Sequence, residues 1–215
     1  MNSARVLTGA TMLFAATGCF RGKLPPREFY RLASVDAPVS VAQSGVAPLS
    51  GTIVIRTYST PGIYGSDLIV YRVGDARYGA YPSREWAVPL GEMLGAITER
   101  VVSEGHVTSG RVAYNRAVGR DEDYEWRGTV RQFEEVDAPG SVSASVSLTA
   151  ELVRVADDSV LWSGATSIVE PVRESRSMDS VVAALSTAAV RAIARLADDA
   201  NATLRRLAAS GARDR

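Results

Sequence analysis

The chain has 215 residues and a formal net charge of zero, with 46% hydrophobic and 22% charged residues. These values are ordinary for a globular protein, and the balanced charge gives no electrostatic basis for a nucleic-acid partner. Cys19 is the only cysteine, which excludes an intrachain disulfide and a metal site built from several thiolates.

The N-terminus has the pattern of a secretory signal. Arg5 precedes an apolar stretch, Val6–Thr17, which ends at Gly18-Cys19. This stretch is shorter than the roughly 20 apolar residues that span a bilayer. A basic residue, a short apolar core and small residues before a cleavage site are typical of a signal peptide. We therefore expect residues 1–18 to be removed and the mature chain to leave the cytoplasm.

The end of this pattern, Ala16-Thr17-Gly18-Cys19, resembles the lipobox of bacterial lipoproteins. The resemblance implies that Cys19 is acylated and anchors the chain to membrane lipid, with residues 19–27 as a lipidated tether. Ala16 and Gly18 also suit an ordinary secretory peptidase, which would cut the same bond and leave Cys19 without lipid. Lipoproteins kept in the inner membrane often carry Asp where Phe20 stands. The resemblance therefore favours the outer membrane, with the domain facing the periplasm.

The first half of the mature chain has the pattern of short strands separated by turns. β-branched and aromatic residues favour strands, whereas clusters of Gly, Pro and Ser favour turns. The predicted strands are Glu28–Val35, Thr52–Thr57, Leu68–Val73 and Arg77–Tyr81. The predicted connections are a loop over Asp36–Ser50, a turn over Ser59–Ser66 and a hairpin turn at Gly74-Asp75.

Two segments have apolar residues at every third or fourth position, which predicts amphipathic helices over Trp86–Glu104 and Met178–Ala208. Pro89 suits the first turn of the earlier helix, and Gly105 suits its C-cap. Arg191 interrupts the apolar run of the later helix. Because an arginine at a bilayer centre is costly, we expect this helix to belong to a soluble domain.

Three further strands are predicted between the helices: Tyr124–Phe133, Ser141–Val155 and Val160–Val169. Apolar and polar residues alternate along Ser141–Val155, so one of its faces should be buried and the other solvated. Strands joined by tight turns favour antiparallel pairing. The sequence thus predicts an α+β fold over residues 28–208, in which two amphipathic helices pack on a mostly antiparallel sheet as a second layer. Residues 209–215 are expected to be a flexible tail.

The order of these elements resembles the ABC-type transport auxiliary lipoprotein family, which includes the paraquat-inducible-protein-C-like lipoproteins. The similarity runs from about Phe29 to Leu207. The motifs that carry it are Ile53-Val54-Ile55-Arg56, Val70-Tyr71-Arg72, Trp86-x2-Pro89-Leu90, Gln132-Phe133-Glu134 and Val160-Leu161-Trp162. The resemblance implies a domain similar to the N-terminal domain of the Tol-system propeller protein.

The same resemblance implies a function without catalysis. Family members work beside an ABC transporter and a periplasmic MCE-domain protein, which move lipids or hydrophobic solutes across the cell envelope, and members can form rings. A homo-oligomer is therefore a further expectation. A binding module that regulates another periplasmic complex, such as a cell-wall synthase, is the alternative function.

The residues themselves offer little chemistry. His106 is the only histidine, and no motif supplies the oriented partner that a general base needs. Asp121-Glu122-Asp123 lacks the spacing of a calcium loop, and Gly62-x-x-Gly65 is too short for a phosphate loop. We therefore predict no catalytic residue, no metal site and no cofactor. The tryptophans are expected in the core; they are Trp86, Trp126 and Trp162.

A protein–protein contact is the remaining kind of site. Ile63 and Tyr64 lie in the Gly-rich segment Ser59–Ser66, and an exposed Ile-Tyr pair is typical of an interface hot spot. Inward packing of the pair is the alternative. An exposed edge of the sheet is a second candidate for partner contact.

Overall fold

The structure, a computed structural model, describes residues 26–33, 47–115, 122–173 and 177–211. Within these ranges the chain forms eight strands and two α-helices. The strands are β1 Glu28–Tyr30, β2 Ile53–Ile55, β3 Leu68–Val73, β4 Arg77–Trp86, β5 Val112–Tyr114, β6 Tyr124–Ala138, β7 Ser141–Arg154 and β8 Ser159–Pro171. The helices are α1 Leu90–Glu104 and α2 Met178–Gly211, and a short 3-10 helix covers Gly62–Gly65.

All eight strands belong to one open sheet built around β6. Along one side, β6 pairs with β7, and β7 pairs with β8. Along its other side, β6 pairs with β2 near its start and with β3 near its end. Beyond these two strands lie β5 on one branch and β4 followed by β1 on the other.

The sheet contains both kinds of pairing, and its longest ladders are antiparallel, in line with the expected mostly antiparallel sheet. The three hairpin pairs β3–β4, β6–β7 and β7–β8 are antiparallel, as their tight turns predict. The pairs β1–β4, β2–β5, β2–β6 and β3–β6 are parallel. Parallel neighbours need a long crossover connection, and the chain supplies it through segments such as the one containing α1. Turn signals do not report such distant pairings.

Both helices pack on the sheet, as predicted. α2 lies on β6, β7 and β8, and α1 lies beside α2 against β2 and β5. The apolar residues of β7 face the helices, and Val146, Leu148 and Leu152 are fully buried there. Glu151, at one of the alternate positions, is exposed. The period-2 pattern of this strand therefore places the main core between the sheet and the helices.

Several predicted boundaries shift because backbone groups find partners outside the predicted element. The strand that begins at Glu28 ends at Tyr30, since the amide of Leu32 donates to Met93 Sδ at 3.4 Å and the amide of Ala33 donates to Ser186 Oγ at 3.0 Å. Trp86 ends β4 instead of opening α1. The short strand β5 has no counterpart among the predicted elements.

α2 is the long core helix of the domain. By length and composition alone, Met178–Ser210 could cross a membrane, but 67% of its most apolar window is buried inside the fold. At about 1.5 Å per residue, its 34 residues span about 50 Å, and the helix packs on β6, β7 and β8. Burial against β7 and β8, with Arg191 paired to Glu170 on the solvent side, is the arrangement expected of a core helix.

Candidate partner-contact site

The segment that carries Ile63 and Tyr64 folds as a 3-10 helix over Gly62–Gly65, which begins after Pro61. Gly62 has a φ of +65°, a conformation that glycine adopts without steric cost. At the other end, the hydroxyl of Ser66 donates to the carbonyl oxygen of Ile63 at 2.9 Å. The predicted turn is therefore a single helical turn, closed at its end by a side chain.

Tyr64 points inward, onto a buried carboxylate. Its hydroxyl donates to Glu134 Oε2, and Arg72 Nε donates to Glu134 Oε1 at 2.8 Å. Glu134 is fully buried and Tyr64 is 9% exposed. A buried charge is tolerated when it is paired and hydrogen-bonded, and here both carboxylate oxygens have a donor. The Tyr64–Glu134–Arg72 triad thus fastens the 3-10 helix to β3 and β6.

The electrostatics of the triad favour a neutral tyrosine beside a charged pair. Burial, followed by the neighbouring Glu134 carboxylate, raises the pKa of the Tyr64 hydroxyl above its ordinary value. The hydrogen bond to Glu134 likewise raises the pKa of the Arg72 guanidinium. Both shifts keep the Tyr64 hydroxyl neutral and the Arg72 guanidinium charged over the neutral pH range. The arrangement suits a structural clamp, because neither of these two donors is ready to release a proton at neutral pH.

Ile63 faces the opposite way from Tyr64. It is 38% exposed, and Tyr78, which pairs with Arg72 across the β3–β4 ladder, is 44% exposed. Of the two residues predicted to contact a partner, the structure leaves Ile63 accessible and uses Tyr64 to hold the segment in place. Ile63 therefore stands on a rigid base, which lowers the entropy cost of binding.

A second tyrosine–glutamate contact lies on the other face of the sheet. Tyr81 on β4 donates to Glu135 Oε2 at 2.8 Å, and burial, followed by Glu135, raises the pKa of the Tyr81 hydroxyl. Glu134 and Glu135 are adjacent in β6, so their side chains point to opposite faces. Sequence reasoning gave neither carboxylate a role, because the predicted strand Tyr124–Phe133 ends just before them, whereas β6 continues to Ala138.

The outer edge of β8 is the other candidate contact surface. Among the described residues, β8 pairs with β7 alone. Its outer side therefore presents backbone donors and acceptors along 13 residues. Val160 and Val169 are 54% and 62% exposed on this strand. A long edge strand whose only charged residue, Glu170, lies near its end is a ready template for pairing with another chain.

The other residues considered for chemistry have structural roles or none. His106 is exposed just after the C-cap of α1, with a φ of +49°. Asp121 lies outside the described residues. Glu122 pairs with Arg56 at 2.6 Å, and Asp123 Oδ2 accepts from the Thr52 amide at 2.7 Å. No group of three or more His, Cys, Asp or Glu in the described ranges could hold a metal ion.

The tryptophans belong to the core, as predicted: Trp86, Trp126 and Trp162 are at most 5% exposed. Trp126 and Trp162 pack with ring centroids 5.1 Å apart, and Trp162 Nε1 donates to Asp199 Oδ2 at 2.9 Å. None of the three is open to a stacking ligand. Cys19, the predicted lipidation site, lies outside the described residues.

The chain matches the model of one protein family over residues 30–199: the ABC-type transport auxiliary lipoprotein component family. No curated protein sequence matches it at a significant level. Among solved structures, it is similar to protein XCC0632 from Xanthomonas campestris, described as a DUF330 protein, with 21% identity and a TM-score of 0.69 over 83% of this chain and 97% of that one.

A second solved structure, of an uncharacterized protein, is similar with 16% identity and a TM-score of 0.59 over 81% of this chain and 99% of that one. At such low identities these two likenesses concern the fold alone.

Proposed function

Because the chain belongs to the ABC-type transport auxiliary lipoprotein component family, we propose that it is an accessory subunit of an ABC transport system, held in the cell envelope by lipid on Cys19. The family match over residues 30–199 is the observation that carries this proposal. In the organisation we propose, residues 1–18 are the signal peptide, 19–27 the tether, 28–208 the accessory domain and 209–215 a tail.

The finer proposal concerns the transport system itself. It is an MCE-type system that moves lipids or hydrophobic solutes, and the domain faces the periplasm from the outer membrane. Its partners are a periplasmic MCE-domain protein and ABC transporter subunits. Assembly of several copies, and similarity of the domain to the N-terminal domain of the Tol propeller protein, stay predictions.

The work of the domain is protein–protein contact rather than catalysis. Two features support this: Ile63 is exposed on a segment fixed by a buried triad, and the β8 edge offers backbone groups that no other described strand pairs with, together with exposed Val160 and Val169. An exposed apolar residue on a rigid support is the usual form of an interface anchor. An edge strand adds backbone hydrogen bonds to such a contact.

Mass spectrometry of the membrane-extracted full-length protein, beside a Cys19→Ser variant, tests the anchoring and the partners together. We expect acyl mass on Cys19, lost in the variant, and co-purification of an MCE protein or an ABC subunit. An unmodified mature chain that fractionates as a soluble protein without transporter components would reject the proposal. A cell-wall synthase in the purified complex would instead support the alternative of a regulatory binding module.

The contact surface is tested by Ile63→Asp, with Leu207→Asp as the control. Leu207 is 53% exposed near the end of α2, so the two variants introduce the same charge at similarly accessible apolar positions. We expect Ile63→Asp to reduce partner co-purification at least tenfold while the control leaves it unchanged. Equal recovery of partner with both variants would exclude the Ile63 surface and direct attention to the β8 edge.

A further inference from the structure

A groove of about 530 Å³ runs along α1, between this helix and the segment that follows β1. Its size is within the range of small-molecule sites, which are mostly apolar with a few polar groups at defined places. Its apolar lining comes from the segment after β1, the residues before α1 and the exposed side of α1. These residues are Leu32, Ala87, Val88, Met93, Ala96 and Ile97.

The groove exists because small residues on α1 let other parts of the chain approach closely. A Cβ on Gly95 would lie 2.1 Å from the ring of Tyr114, so this glycine admits the tyrosine that forms one wall. Ala96, one position on, is exposed and leaves the middle open. The opposite wall is fixed, since the amide of Leu32 donates to Met93 Sδ and that of Ala33 to Ser186.

Charged groups lie at the rim of the groove. Arg31, Arg100 and Glu92 border it. Arg31 is exposed, and the structure gives it no ion pair with any described residue. Arg100 lies 3.8 Å from Glu104 at the solvent side of α1. An apolar groove with guanidinium groups at its mouth complements a molecule that has an apolar chain and an anionic head.

The length of chain between Cys19 and the groove limits how far the groove can lie from the proposed lipid anchor. Cys19 is 31 − 19 = 12 residues before Arg31. At about 3.5 Å per extended residue, the rim lies within about 40 Å of the anchoring point. A lipid leaflet holding Cys19 is therefore within reach of the groove.

We propose that this groove binds one acyl chain of an anionic membrane lipid, with the lipid headgroup at Arg31 and Arg100. The proposal deepens the proposed function and relies on it for the anchoring at Cys19, but the binding itself depends only on the groove. The occupant is lipid drawn from the bilayer, and the chain attached to Cys19 is not the occupant.

The proposal is tested by fluorescence titration with cis-parinaric acid, an anionic fatty acid that emits in apolar surroundings. The protein is the detergent-extracted full chain, from which non-covalently bound lipid has been removed. We expect saturable binding by the wild type and at least tenfold weaker binding by Ala96→Trp, which fills the groove from an exposed position. Ala183→Trp is the matched control, because Ala183 is an exposed alanine on α2 away from the groove. Equal binding by both variants would overturn the proposal.

The headgroup is tested by Arg31→Glu. We expect about tenfold weaker binding of the acid and little change for its methyl ester, which lacks the charge. Equal losses for acid and ester would remove Arg31 from the site and overturn the assigned orientation.

The source of the acyl chain is tested with Cys19→Ser, which cannot be acylated at this position. We expect it to bind the probe as the acylated wild type does. Binding by Cys19→Ser alone would show that the protein's own lipid fills the groove, and would overturn the proposal. Co-purification of transporter subunits is measured on the same variants. Loss of probe binding in Ala96→Trp with partners retained separates this site from the proposed function.

Discussion

The buried triad makes a prediction that combines stability with pH. Tyr64→Phe removes the hydroxyl that donates to Glu134 Oε2 while keeping the ring. Glu134 is fully buried, so water cannot replace the lost donor. A hydrogen bond to a charged group contributes about 1.5–3 kcal/mol, and Arg72 still serves the other carboxylate oxygen. We therefore expect Tyr64→Phe to lower the free energy of unfolding by about 2 kcal/mol at pH 7.

The same variant changes the response to alkali. The pKa of Tyr64 is raised in the folded state above its unfolded value of 10.0. Its contribution is therefore complete below pH 10 and is lost as the pH rises toward the folded pKa, at about 1.4 kcal/mol per pH unit. Tyr64→Phe lacks this loss. The stability gap between the wild type and the variant should thus narrow by about 1 kcal/mol between pH 10 and pH 11.

Urea denaturation of the two proteins at pH 7, 10 and 11 measures both effects, with the m-value checked for a two-state transition. All other tyrosines are shared, so their ionisation cancels in the difference. Tyr81→Phe provides a comparison, because its partner Glu135 is 7% exposed and water can partly replace the donor. A gap below 0.5 kcal/mol at pH 7, or a gap that stays constant up to pH 11, would refute this account of the triad.

Three further predictions concern other parts of the core. Gly128→Ala would place a Cβ 2.3 Å from the ring of buried Tyr58, and should cost about 1–3 kcal/mol in thermal or urea unfolding. Asp198→Asn should stabilise the fold at pH 7 because burial raises the pKa of Asp198, and the gain should vanish below pH 3.8. Arg56→Met should cost about 2 kcal/mol at pH 7. Burial alone would raise the pKa of Glu125, but Arg56 and Arg127 lower it below 4.5. The difference in stability between the wild type and Arg56→Met should therefore become smaller at acid pH.

Matched controls separate these effects from general disturbance. Gly74→Ala tests the backbone alone, because Gly74 has a φ of +62° and open space around it; it should cost about 1 kcal/mol. Arg191→Met removes an exposed ion pair with Glu170 and should change stability by less than about 1 kcal/mol. If Gly74→Ala cost as much stability as Gly128→Ala, the role given to Tyr58 would be contradicted. If Arg191→Met cost as much as Arg56→Met, the role given to Glu125 would be contradicted.

Local patterns in the sequence determined the types of element and their layers. The strand Leu68–Val73 matches its predicted bounds, and Met178 begins the long helix as predicted. The alternation in Ser141–Val155 identified the buried face of β7. These predictions succeed because periodicity and turn chemistry act between neighbouring residues. The family assignment likewise agrees with the residues matched.

Tertiary structure alone decided what depends on residues far apart in the chain. The parallel pairing of Ile53 with Tyr124 has no local signal, since the chain between them contains three strands and an α-helix. The inward direction of Tyr64 depends on Glu134, 70 positions away, and the groove depends on Leu32 meeting Met93 across 61 positions. The sequence supplied Ile63 and the donors and acceptors of the triad, but it left open whether Ile63 is exposed. Their meeting in space required packing of the whole sheet, because a buried carboxylate is stable only where distant partners converge.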